Sequence, residues 1–226
     1  MSEVPPSTAR KPRRGFFSFI FALPFQILGV VVLSLFTSVL IEWAGMYWNW
    51  WSQPGAEHAK STMEAEMRWL DQSFTRSLVL KDPIESSAHM MSRAYEYLVV
   101  KTGVAPMMSQ PSVGWIAYLQ AAVYVTLMTF IRLMILVLTI PLFVMAALVG
   151  FVDGLVQRDL RRFGAGRESA FLYHHAKRAI GPTFIIGWLI YLSLPIALHP
   201  NWFLLPNAFL FGAMIAFASR SFKKYL

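Results

Sequence analysis

Arg132 is the single ionisable residue in an apolar run of 38 residues, Trp115 to Val152. A guanidinium keeps its charge in proteins and is costly in lipid, so such a residue faces a cavity, a partner helix or the interface. Interfacial snorkelling is the first expectation, because the arginine stem can carry the charge toward the headgroups. An ion pair with Glu42 or with a partner's carboxylate is the second. A substrate path ranks last, since the apolar segments hold no second charge to relay to. The other reactive side chains do not assemble into a site. The chain has no cysteine, which removes disulfides, thiol catalysis and thiolate metal ligation. His174 and His175 are adjacent and would point about 100° apart on a helix, so they cannot chelate one ion. His58, His89 and His199 fall in segments expected across the membrane from them. Ser169 with His174 lacks a glycine-flanked nucleophile elbow and a third member. Gly164-Ala165-Gly166 lacks the strand and lysine of a phosphate loop. No catalytic, cofactor-binding or metal-ligating residue is nominated, and the chain reads as non-enzymatic.

Residues 151–178 carry a different kind of signal. Arg158, Arg161, Arg162, Arg167, Lys177 and Arg178 lie between two long apolar stretches, interleaved with Asp153, Asp159 and Glu168. Asp159 and Arg162 can pair at i,i+3 on a helix. A loop that only marks topology needs positive charge alone. The carboxylates, the glycine pair and the aromatics Phe163, Phe171 and Tyr173 suit a folded docking surface built from Asp153, Arg158, Asp159, Arg161, Arg162, Phe163, Arg167 and Glu168. Headgroup contact with internal stapling is the alternative, and the residues alone leave both open.

The elements that position these residues follow from composition. Of 226 residues 56% are hydrophobic and 14% charged, against about 25% charge in ordinary soluble domains. The 18 Phe and eight Trp suit amphipathic rings at lipid–water boundaries. A net charge of +8 raises nucleic acid as a ligand, but the basic residues flank apolar segments, where the positive-inside bias and anionic headgroups account for them. The expected architecture is all-α and polytopic, with four transmembrane helices and a periplasmic helical hairpin. Residues 1–15 form a disordered basic tail. Residues 16–41 form the first span, too long for the apolar core of a signal peptide. Residues 42–114 are exported. Residues 115–152 form one long second span, tilted and kinked near Pro141. The basic loop 153–178 is cytoplasmic, residues 179–198 and 202–219 form the third and fourth spans, and 220–226 is a basic cytoplasmic tail. Lys and Arg number four in the N-terminal tail, six in the loop and three in the C-terminal tail, whereas 42–112 balances six with eight acidic residues. Both termini therefore belong in the cytoplasm.

Within the exported segment, Met63, Met67, Leu70, Phe74 and Leu78 recur at helical spacing. Asp82-Pro83-Ile84-Glu85 reads as an N-cap, a proline at the first helical position and a capping carboxylate. Ile84, Ala88, Met91, Tyr95 and Leu98 form a second stripe, closed by Lys101 and a C-capping Gly103. The two stripes predict a hairpin that leans on the spans or on a partner.

Three motifs carry a resemblance: Glu42-Trp43-Ala44-Gly45-Met46, Pro54-Gly55-Ala56-Glu57-His58, and the long Asp153-Gly154-Leu155-Val156-Gln157-Arg158-Asp159-Leu160-Arg161-Arg162-Phe163-Gly164-Ala165-Gly166-Arg167-Glu168-Ser169. With them the chain resembles the small multi-pass membrane proteins of bacterial integrating conjugative elements. The resemblance implies an inner-membrane protein of a Gram-negative host, encoded near the conjugative type IV coupling ATPase. It implies a non-enzymatic subunit of the DNA-transfer apparatus that docks the coupling ATPase through its cytoplasmic loop, and it brings no catalytic residues or cofactors. Expected partners are the bilayer, that ATPase or other transfer-apparatus subunits, and a second copy of the chain, with no direct nucleic-acid contact. A small transporter or channel is the alternative, weakened by the lack of paired in-membrane charges and of an inverted repeat.

Overall fold

A computed structural model describes residues 16–73, 83–163 and 170–221. Among them every regular element is a helix. Helix α1 (Phe16–Tyr47) runs unbroken through Pro24, so no separate interfacial segment precedes the spanning helix. Phe25, Leu28, Val32 and Phe36 are exposed on one face, while Ser34, Ser38 and Glu42, spaced by four, are buried on the other. Such a helix has an apolar outward surface suited to lipid and turns its few polar groups inward.

Helix α2 (Glu57–Ser73) brings its stripe against the bundle. Helix α3 (Pro83–Tyr95) starts at the expected proline and continues as a wider π-helical turn, Glu96–Lys101. Gly103 follows with φ +75°, a left-handed conformation open to glycine without strain. Asp82, the expected cap, lies outside the described residues, as do Phe74 and Leu78. After the short α4 (Ala105–Met108) come α5 (Trp115–Leu138) and α6 (Ile140–Phe163). The expected kink is a break at Thr139. Pro141 has no N–H to donate and its ring crowds the carbonyl of Val137. Thr139 N bonds back to Ile135 O at 3.0 Å, and Leu142 N starts the next helix on Thr139 O at 3.0 Å.

Helix α7 (Ala170–Ser193) and α8 (Pro200–Arg220) complete the chain. The expected third span reached Leu198, but the helix stops at Ser193 because Pro195 disfavours helical geometry at Leu194. Pro200 opens α8, and the His199 ring nitrogen Nδ1 accepts from Asn201 N at 3.3 Å.

Three stretches are long and apolar enough to cross a bilayer: Phe25–Tyr47, Trp115–Leu160 and Pro200–Arg220. The described apolar part of α7, Ile180–Ser193, is shorter. The 46 residues of Trp115–Leu160 extend about 70 Å, more than twice a hydrocarbon core of roughly 30 Å.

The helices pack in two groups that meet where α7 lies against α1 and α5. In one, α1 and α2 lie on α5. Ala56 and Ala59 cluster with Ala121 and Val125, and further along Leu70 meets Ile131 and Ile135, so α2 runs beside α5 in the same direction. Helix α3 also packs on α5 rather than chiefly on α2, so the two stripes meet a common third helix and not only each other. In the other group α8 sits between α6 and α7. A Cβ added at Gly150 would fall 2.1 Å from Gly212 O, and one added at Gly212 would fall 2.7 Å from Ala146 O. Small residues four apart on both helices thus allow backbone-to-backbone contact, the packing that apolar helices use in lipid.

Candidate functional site

Arg132 is fully buried, as is Glu66 of α2. Arg132 Nε donates to Glu66 Oε1 and Oε2, each at 2.9 Å, and Nη2 donates to Oε1 at 2.5 Å. The remaining donors face the end of α7. Nη1 reaches the carbonyls of Tyr191 at 2.9 Å, Leu192 at 3.3 Å and Leu194 at 2.5 Å, and Nη2 reaches Ile196 O at 2.9 Å. All three guanidinium nitrogens are engaged. The last carbonyls of a helix lack partners within it and carry its negative dipole end, so a cation there is favoured. The Tyr191 ring lies 5.5 Å from the guanidinium carbon. Burial pushes the Glu66 carboxyl above its ordinary value, while the hydrogen bond from Arg132 and its charge pull it down.

The side chain does not snorkel, and its partner is neither Glu42 nor another protein. Snorkelling loses because Arg132 lies level with the α7 terminus, where carboxylate and carbonyls satisfy it without water. Glu66 stands among Met63, Met67 and Leu70 on the apolar stripe of α2, and that misplaced carboxylate was the available sequence signal. Glu42 is buried too, but it accepts from His58 Nδ1 at 3.0 and 3.1 Å. The His58 ring stacks on Trp51 at 4.0 Å. Trp51 in turn fills the space beside Gly45, where an added Cβ would meet its indole. A third anchor is buried Gln120, whose Nε2 donates to Met107 O at 2.8 Å and Gln110 O at 2.9 Å, fastening α4 and the turn after it to α5. These clamps tie α1 to α2, and α2, α4 and the end of α7 to α5. No group of three metal-ligating side chains occurs among the described residues.

The expected docking residues divide. Asp153 is exposed, accepts from Gln157 Nε2 at 2.6 Å, and lines a groove shared with α8. Arg158 Nη2 lies 3.5 Å from Asp159 Oδ1. The backbone of Arg161, Arg162 and Phe163 forms the final turn of α6, with their side chains outside the described set, and Arg167 and Glu168 lie outside it altogether. Residues 153–163 therefore continue a helix, where the sequence reading had a loop begin.

No curated protein and no solved structure matches the chain. The family described as IncC plasmid conjugative DNA transfer protein DtrJ-like matches residues 50–223, taking in α2 to α8. Glu66, Arg132 and all four accepting carbonyls fall inside that match. The chain belongs to this DtrJ-like family of conjugative DNA transfer proteins.

Proposed function

We propose that the chain is a non-enzymatic inner-membrane subunit of a conjugative type IV secretion apparatus, with both termini in the cytoplasm, and that the end of α6 with the following loop docks the coupling ATPase. The observation that carries the reading is the family match to conjugative DNA transfer, joined to three helices of spanning length and apolarity. The resemblance to proteins of integrating elements and the match to plasmid transfer proteins agree on conjugation. Docking is supported by the helical continuation of α6, which carries Arg158, Arg161 and Arg162 on a rigid rod instead of a slack loop. A transporter or channel draws no comparable support, since the one charge in the apolar runs is consumed by Glu66 and the α7 carbonyls.

Four spanning helices and a periplasmic 42–114 segment predict where reporters fused to the chain will be active. Fusions at Met1, Arg167 and Leu226 should report cytoplasm and one at Lys81 periplasm; an exported Arg167 would overturn the orientation. For docking, tagged full-length protein is extracted from donor cells in mild detergent and its companions identified by mass spectrometry. The coupling ATPase is expected in the eluate, and the paired reversal Arg161→Glu/Arg162→Glu should remove it and sharply lower transfer frequency. Charge reversal adds repulsion to lost attraction, whereas headgroup contacts are worth only about 1 kcal/mol per basic residue and are redundant here. Normal transfer by a correctly inserted double variant would rule docking out.

A further inference from the structure

An open groove of about 380 Å³ runs between α6 and α8. Gly150, Gly212, Ala213 and Ala216 keep it clear of side-chain bulk, while Val149 and Phe209 flank it. One end is polar, with Asp153 and Gln157 from α6 and Arg220 from α8. From Ala208 to Arg220 the groove follows α8 for about 18 Å, close to half of a hydrocarbon core of roughly 30 Å. Its length is thus that of one leaflet, with the charges at headgroup level and the glycines toward the midplane.

The charges say what kind of headgroup fits. Among the described residues neither Asp153 nor Arg220 has an ion-pair partner, and Asp153 is bonded only to Gln157. A carboxylate and a guanidinium at one mouth need a ligand that carries both an ammonium and a phosphate. The geometry points to a binding site for one phospholipid of the phosphatidylethanolamine class, its acyl chain along the Gly150/Gly212 floor. Its phosphate accepts from Arg220, and its ammonium donates to Asp153. Phosphatidylglycerol offers Arg220 the same phosphate but brings no ammonium, so Asp153 is left beside an anion without a countercharge. Phosphatidylcholine has no N–H with which to bond the carboxylate. The assignment rests on α6 and α8 spanning the bilayer, a reading that the reporter fusions check separately.

The test uses full-length protein in detergent, supplied with phosphatidylethanolamine, phosphatidylglycerol or phosphatidylcholine and analysed by native mass spectrometry. One phosphatidylethanolamine should stay bound under activation that strips the other two. It should also raise the thermal midpoint of the wild type, since a ligand that binds only the folded state stabilises it. Asp153→Asn and Arg220→Gln should each lose both the retention and the midpoint shift. Both positions are at least partly accessible, so the variants should keep the wild-type midpoint in lipid-free detergent. Equal retention of the three lipids, or undiminished phosphatidylethanolamine binding by both variants, would overturn the assignment. So would a lipid-free dimer closing over the groove, which would make a second copy the occupant.

Discussion

Glu66→Ala should be among the most damaging single substitutions in this chain, costing about 3–5 kcal/mol, the usual penalty for leaving a buried charge without its partner. The alanine removes three hydrogen bonds from Arg132 and all of its countercharge, while the guanidinium remains locked among the α7 carbonyls. Arg132→Leu should be comparably harmful for two reasons. It strands the Glu66 carboxylate in an apolar site, and it leaves the carbonyls of Tyr191, Leu192, Leu194 and Ile196 without a donor. Lysine is no remedy, because a single ammonium cannot reproduce a planar fork that reaches a carboxylate and four carbonyls together. The double replacement Arg132→Leu/Glu66→Leu should recover part of the loss, since apolar residues of similar volume can replace a buried pair. The measurements are protein level in the membrane fraction and thermal unfolding in detergent. Wild-type behaviour of Arg132→Lys would show that the bidentate geometry is unimportant.

Gly150→Ala should be the most harmful removal of a glycine, despite adding one methyl group. Its Cβ would lie 2.1 Å from the Gly212 carbonyl oxygen and 2.8 Å from its carbon, so the helix backbones themselves must part. Overpacking of this kind costs about 1–3 kcal/mol or more. Gly29→Ala supplies the internal control. Nothing lies within 4 Å of a Cβ there, and alanine is favoured over glycine in a helix interior by about 1 kcal/mol. Unfolding midpoints should move in opposite directions for the two variants. A Gly150→Ala protein as stable as the wild type would mean that α6 and α8 do not touch backbone to backbone.

Much of the fold was legible because helices in an apolar chain announce themselves locally. Pro83 and Pro141 mark a start and a break by their own covalent geometry, and Gly103 ends α3 with its π-helical turn for the same kind of reason, whereas Pro200, expected in a turn, opens α8. What was not legible is which helix faces which. The stripe of α2 was visible, but a stripe has no address, and the natural guess paired it with the neighbouring stripe of α3 when α5 receives both. The one local signal of Glu66 is its place between Met63 and Leu70 on the apolar stripe of α2. The spacing Ala146, Gly150, Gly154 opposite Ala208, Gly212, Ala216 was also open to reading, yet its meaning depends on the two helices lying parallel.

The route of the Arg132 contacts through the chain constrains how the protein can be made. A ribosome delivers Glu66 well before Arg132, and the carbonyls at 191–196 roughly 60 residues after it. At about 5–20 residues per second, that second interval lasts on the order of 3–12 s. Throughout it the guanidinium has only Glu66 to answer it, so α2 waits as a counterion for a helix not yet finished. Assembly is thereby ordered: α2 is made first, the arginine helix follows it, and the last two helices lock both when their turn arrives.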